Sequence, residues 1–149
     1  MGGTRIAVAG AGLIGLRHID EIGKCSSTAL ASIVDVSPRA AEVARSSGVA
    51  LYPSLADLFA KDRPDGVIVA TPNQLHVEQG LACIAAGVPA LIEKPVAHTL
   101  AEGIRLCEAA ERANARILVG HHRRHSPILH KAVEIVVHHA RVFEEKAPA

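Results

Sequence analysis

Gly10-Ala11-Gly12-Leu13-Ile14-Gly15 directly follows the apolar run Arg5 to Ala9 and opens a stretch with apolar residues at Leu13, Leu16, Ile19 and Ile22. A G-x-G-x-x-G string between a strand and a helix constrains this chain more than any other feature. The first glycine permits a tight turn, the second lets backbone approach a ligand without a Cβ in the way, and the third lets helix pack closely on strand. The helix N-terminus beyond it offers unpaired N–H groups to an anion. Strand, glycine turn and helix together form the fingerprint of a dinucleotide pyrophosphate site, with Gly10, Gly12, Leu13, Ile14 and Gly15 as its residues.

The rest of the chain continues this alternation. Leu30 to Val34, Ala50-Leu51, Gly66 to Ala70, Pro89 to Ile92 and Arg116 to Val119 are short apolar runs that read as buried strands. Helices are predicted between them. Ser37-Pro38 supplies a cap and a first-turn proline, Ser54 with Asp57 starts a third helix, and Asn73 is read as the cap of a helix from Gln74 to Ala86. Gly87 stops that helix, Thr99-Leu100-Ala101-Glu102 is a capping box, and Ser126-Pro127 opens the last helix. Strands buried on both faces and separated by helices require a parallel sheet with right-handed crossovers. The expected fold is α/β, a doubly wound sheet of about six strands of the Rossmann NAD(P)-binding type. Residues 1–140 form that domain in this reading, and 141–149, where the pattern fades, read as a tail.

Composition narrows the function. Lys and Arg total 16 and Asp and Glu 15, so 16 − 15 = +1 with His neutral, which gives no electrostatic footprint for nucleic acid or an anionic membrane. Aromatic residues are 2%, too few to build stacking platforms for single strands, so the core must come from Ala, Val, Ile and Leu. No apolar run approaches the ~18 residues of a membrane span, and no signal peptide is visible. A soluble, cytoplasmic chain is expected. Cys25, Cys83 and Cys107 are odd in number and widely spaced, and each reads as a small buried hydrophobe in a helix. His121 and His125 have a spacing that can share a metal on a helix, but Gly120 and Pro127 imply a loop and no acid or Cys stands nearby, so no metal is expected.

Asp35 ends the second strand, 35 − 15 = 20 positions beyond the last glycine of the turn. A carboxylate there accepts hydrogen bonds from an adenosine ribose and repels a 2′-phosphate, which favours NAD. Arg39 lies near enough to admit NADP as a second cofactor. Thr71-Pro72-Asn73-Gln74-Leu75-His76 follows the fourth strand and Glu93-Lys94-Pro95 the fifth. Both therefore lie at the carboxyl edge, where open α/β sheets bind ligands. Each also has a plain structural reading: a helix entry for the first, with His76 packed or capping, and a solvated ion pair for the second.

These motifs, with Arg123-Arg124 and Pro127 after them, come in a distinctive order. The chain resembles the N-terminal part of the Gfo/Idh/MocA oxidoreductases, the glucose-fructose oxidoreductase and inositol 2-dehydrogenase family, from about Arg5 to Val133. The resemblance implies NAD(P)-dependent oxidation of a hydroxyl on a small-molecule substrate, a sugar or polyol, or the reverse reduction. It implies that Lys94 hydrogen-bonds the reacting hydroxyl as the catalytic residue and that Pro95 fixes the turn. Thr71, Pro72 and Asn73, with His76, line the nucleotide, Glu93 lies near the nicotinamide ribose, and Arg123 or Arg124 lies at the cofactor or substrate mouth. Family members add a second α/β domain that binds substrate and supplies an Asp and a His. No counterpart of those residues is read here. The expectation is the nucleotide-binding part of such an enzyme, with apolar surface left open for a homo-oligomer and full turnover requiring the missing part. The alternative from another class is a non-catalytic nucleotide-binding or interaction module.

Overall fold

The structure, a computed structural model, describes residues 3–121 and 126–145, with side chains of the last helix described as far as Val136. Among the described residues six strands and six α-helices alternate: β1 Thr4–Ala9, α1 Leu13–Lys24, β2 Thr28–Val34, α2 Pro38–Ser47, β3 Ala50–Tyr52, α3 Leu55–Lys61, β4 Gly66–Val69, α4 His76–Ala86, β5 Ala90–Ile92, α5 Leu100–Arg112, β6 Ile117–Val119 and α6 Pro127–Glu145. The strands form one sheet in the order β3-β2-β1-β4-β5-β6. Every neighbouring pair is parallel. The strand order reverses between β1 and β4, which opens a crevice at their carboxyl ends.

Successive side chains on a strand point to opposite faces, and β2 shows the consequence. Val34 joins the core with Ala7, Ala9, Leu58, Val67, Cys83 and Leu106, against α3, α4 and α5. Its neighbour Ile33 joins a second core with Ala11, Ala40 and Ala44, to which Ile19 of α1 adds. Both faces are thus covered by small aliphatic side chains, so helices approach the sheet closely without aromatic residues. Leu58, Ile33 and Ile92 are fully buried, and each such side chain contributes roughly 1.5–3 kcal/mol by leaving water.

Local signals set most element ends. The Ser37 side chain accepts the Ala40 N–H at the start of α2, and Ser54 accepts the Asp57 N–H at the start of α3. Thr99 and Glu102 form the expected capping box on α5. Gly48 and Gly87 end α2 and α4 in the left-handed conformation, at φ +67° and +64°. That backbone region strains any residue with a Cβ.

Several expectations need correction. Asn73 does not cap a helix from Gln74. Asn73–Leu75 form a single 3-10 turn, and α4 starts at His76 with no side-chain cap. The reason is visible in the packing: His76 is drawn inward, and the chain tightens to i→i+3 bonding to bring it there, with the Leu75 N–H donating to Pro72 O at 2.9 Å. Of the three cysteines only Cys83 is buried, and burial pushes its thiol pKa up to about 12. Cys107 is exposed on α5, and Cys25 is exposed just beyond α1 rather than within a helix. The last helix continues to Glu145, past the point where its apolar periodicity fades.

Among the described residues no helix is long and apolar enough to cross a membrane, and no cluster of three or more His, Cys, Asp or Glu is placed to hold a metal. An apolar concavity of about 530 Å³ stays open on the sheet and includes Ile6, Ile68, Leu91 and Leu118 of β1, β4, β5 and β6.

Candidate dinucleotide site

A cavity of about 740 Å³ lies at the carboxyl edge of the sheet, with Gly10, Gly12, Asp35, Arg39, Thr71 and Pro72 in its wall. The three glycines of the turn occupy different surroundings. Gly10 has φ +94°, and a Cβ there would sit 2.6 Å from Ala70 O. A Cβ on Gly15 would sit 1.7 Å from Gly10 O, so α1 rests directly on the turn. A Cβ on Gly12 would meet nothing within 4 Å. Packing therefore explains the first and third glycines and leaves the second unexplained. What Gly12 keeps clear is the space in front of the N-terminus of α1, a helix that no side chain caps. Its terminal N–H groups have no intrahelical partner, and such groups form a ready site for an anion. Leu13 and Ile14, which begin α1, are 72% and 42% exposed and stand outside the cavity wall.

Asp35 sits across from the turn and is held rigidly. Its Oδ2 accepts the Ala11 N–H at 2.7 Å and its Oδ1 accepts the Ser37 N–H at 2.7 Å. Partial burial pushes this carboxyl up, but the hydrogen bonds from Ala11 and Ser37 outweigh it and hold the group below the usual carboxylate range. Asp35 is therefore ionised at neutral pH. Each carboxylate oxygen offers two lone pairs, so acceptor capacity remains for a diol. Arg39 is exposed on α2 at the rim of the same cavity.

Thr71 and Pro72 close the opposite wall. The Thr71 hydroxyl donates to Gln79 Oε1 at 2.6 Å. Asn73 is half-buried in the 3-10 turn behind them and does not line the cavity. His76 is 2% exposed and lies beneath the wall rather than in it. Its Nδ1 is 2.8 Å from Pro95 O and its Nε2 is 2.8 Å from Thr71 O.

Glu93-Lys94-Pro95 continues from β5 at the same sheet edge, outside the cavity wall. Glu93 Oε1 lies 2.9 Å from His18 Nε2, a pair that is mostly buried, and Glu93 Oε2 accepts the Lys94 N–H at 3.2 Å. Lys94 is exposed. Arg123 and Arg124, expected at the mouth of the site, lie outside the described residues, as does His125.

Three positions in this arrangement were not read from the sequence. His18 follows Gly15 by 18 − 15 = 3 positions and so shares its helix face, a signal too common to stand alone. Gln79 follows His76 at the same spacing. Gly120 ends β6, and a Cβ there would sit 2.9 Å from the Glu93 carboxylate, so it makes room for that side chain.

The comparisons agree with this geometry. The family model for the Gfo/Idh/MocA oxidoreductases, described as an oxidoreductase family with an NAD-binding Rossmann fold, matches residues 4–121. A 4-carboxy-2-hydroxymuconate-6-semialdehyde dehydrogenase of a Sphingobium species is 35% identical over 125 residues, covering 83% of this chain and 40% of the relative. An inositol 2-dehydrogenase of Corynebacterium glutamicum is 32% identical over 127 residues, covering 83% and 38%. The crystal structure of the WlbA dehydrogenase from Bordetella pertussis, in complex with NADH and UDP-GlcNAcA, superposes with a TM-score of 0.74 at 30% identity, covering 78% of this chain and 36% of that one. The fold is also that of myo-inositol 2-dehydrogenase from Lactobacillus plantarum, with a TM-score of 0.84 at 23% identity, covering 91% and 41%. This chain spans about two fifths of the length of the curated relatives it matches. With its motifs, strand order and matched residues in agreement, the chain belongs to the Gfo/Idh/MocA family of NAD-binding oxidoreductases.

Proposed function

We propose that this chain is the nucleotide-binding part of a dehydrogenase acting on a CH–OH group of a polyol or sugar derivative. The observation that carries this reading is the shared edge: Lys94 follows β5 at the carboxyl edge of the sheet that also carries the cavity with Gly12 and Asp35. The names of the relatives, which include inositol 2-dehydrogenases, support the substrate class. Bound NAD supplies a hydride acceptor. The protein's own residues do the rest. The N–H groups at the start of α1 hold the pyrophosphate, Asp35 accepts the adenosine ribose hydroxyls, and Glu93 lies toward the nicotinamide ribose. The Lys94 ammonium donates to the reacting hydroxyl's oxygen and stabilises it as hydride passes to NAD and the hydroxyl proton passes to the Asp–His pair of a further domain. A further domain supplies most substrate contacts. Open apolar side chains on the sheet, such as Leu118 at 67% exposure, support self-association of the chain. A cytoplasmic setting, where nicotinamide dinucleotides are held, completes the reading.

Two measurements test it. By calorimetry on the purified chain, NADH should bind more tightly than NADPH by about 1.5–3 kcal/mol, the scale of a hydrogen bond to a charged group. Asp35→Ala should narrow that gap, because one ionised carboxylate both accepts the ribose and repels an added phosphate. Equal or tighter NADPH binding at low salt contradicts this use of Asp35. Joined to the remaining part of a related inositol dehydrogenase, the chain should form NADH from NAD and a polyol. A joined protein that binds NADH but oxidises no polyol or sugar across a broad panel favours a non-catalytic nucleotide-binding module.

A further inference from the structure

His76 is a buried side chain with two polar contacts that the proposed chemistry leaves unused. It is 2% exposed, and its ring lies between two backbone carbonyls from different loops. Thr71 O follows β4, and Pro95 O follows β5. Each lies 2.8 Å from a ring nitrogen. Carbonyl oxygens only accept, so a neutral ring donates to one of them and a doubly protonated ring to both. A neutral ring thus bonds one of the two loops, and a doubly protonated ring links the loop that walls the nucleotide cavity to the loop that carries Lys94. On its other side, the Lys94 segment is held through Glu93, which meets His18 of α1 at 2.9 Å and accepts the Lys94 N–H. The segment thus hangs between two histidines on two different helices.

We propose that His76 is a positioning residue: from the first turn of α4 its Nδ1–H holds the Pro95 carbonyl and so sets Lys94 against the nicotinamide half of the bound dinucleotide. This rests on the dinucleotide reading above. The cavity with Asp35 and Gly12 serves the adenosine and pyrophosphate half, and it is built without the Pro95 carbonyl. Loss of the His76 link should therefore be felt by the nicotinamide half and not by the other.

The test compares NAD with ADP-ribose, which lacks nicotinamide, by calorimetry on the full chain. Asparagine places an amide nitrogen near the position of Nδ1, and glutamine places one near that of Nε2. His76→Asn should keep the contact to Pro95 and preserve the wild-type ratio of NAD to ADP-ribose affinity. His76→Gln should keep only the contact to Thr71 and lower that ratio by about fivefold, the scale of one lost hydrogen bond, with ADP-ribose affinity unchanged. Parallel loss of both ligands, or no change in the ratio, would overturn the proposal while leaving the dinucleotide reading intact. A wild-type chain that binds neither ligand would overturn the reading itself. If the variants do not fold, the imidazole nitrogen signals of His76 in the wild-type chain decide the matter. They should shift on adding NAD beyond any shift seen with ADP-ribose, and equal responses to the two ligands would overturn the proposal.

Discussion

Gly15→Ala is expected to prevent folding, whereas Gly12→Val is expected to leave the fold intact and abolish dinucleotide binding. The two glycines lie three positions apart in one motif, yet their surroundings differ entirely. A Cβ on Gly15 would lie 1.7 Å from Gly10 O, inside any contact distance. That carbonyl has little freedom to move. The Gly10 N–H is bonded to Val34 O at 2.8 Å, and Gly10 itself abuts Ala70 O. Relief requires α1 to lift from β1, which uncovers core on that face. The cost belongs to the exceptional class above ~4–5 kcal/mol, comparable with the whole stability of a domain at about 5–15 kcal/mol. Thermal unfolding followed by circular dichroism should show no native transition, and a melting temperature near wild type would contradict the packing. Gly12 has an extended backbone, φ −74° and ψ −170°, which any residue adopts, and its Cβ direction is open. Valine there costs stability only as a poor helix cap, about 1 kcal/mol. It fills the space needed for the pyrophosphate, so NAD affinity should fall at least ~100-fold, the loss of two charged hydrogen bonds at roughly 1.5–3 kcal/mol each. A native circular dichroism spectrum with unchanged affinity would place the phosphate site elsewhere.

Lys94→Ala should lower kcat by at least ~10²-fold, the low end for general acid–base groups. The measurement uses the chain joined to the remaining part of a related dehydrogenase, since the chain spans about two fifths of its relatives' length. Lys94 lies at the sheet edge with its side chain exposed, and its backbone N–H is held by Glu93. An ammonium at that edge binds a neutral hydroxyl weakly and an oxygen that is losing its proton strongly. Its effect therefore falls on the chemical step more than on the complex that precedes it. NAD dissociation constants should stay near wild type. A variant that keeps its kcat and loses NAD affinity would make Lys94 a cofactor ligand and not a proton-handling group.

The architecture was legible because its signals are local. The strand-to-helix turn at Gly10 to Gly15, Ser37-Pro38, Gly87 and the Thr99–Glu102 capping box are each set within one turn of chain, and the structure places each of these element ends where the sequence does. The position of Asp35 follows from the same local logic, since β2 must end opposite the glycine turn. What the sequence concealed depends on long-range packing. The sequence left His76 between a nucleotide-lining side chain and a packed one, and it lies buried under the wall because its Nδ1 partner is Pro95, 19 positions away. The Asn73 cap gave way to a 3-10 turn for the same reason. His18 carried no message until β5 set Glu93 beside it, 75 positions later. Gly120 reads as a strand end, and only the packed structure shows that a Cβ there would crowd the Glu93 carboxylate.

The cavity between the glycine turn and Asp35 is the proposed NAD site. Amide NMR spectra of the isotope-labelled chain, recorded while NADH is added, test it residue by residue. The predicted result is saturable shifts for the N–H groups of Ala11, Gly12, Leu13 and Ile14 and for those beside Asp35 and Thr71, with the opposite edge of the sheet, around Asp65 and Arg116, unchanged. Shifts confined to that opposite edge, or no shifts at millimolar NADH, would contradict it.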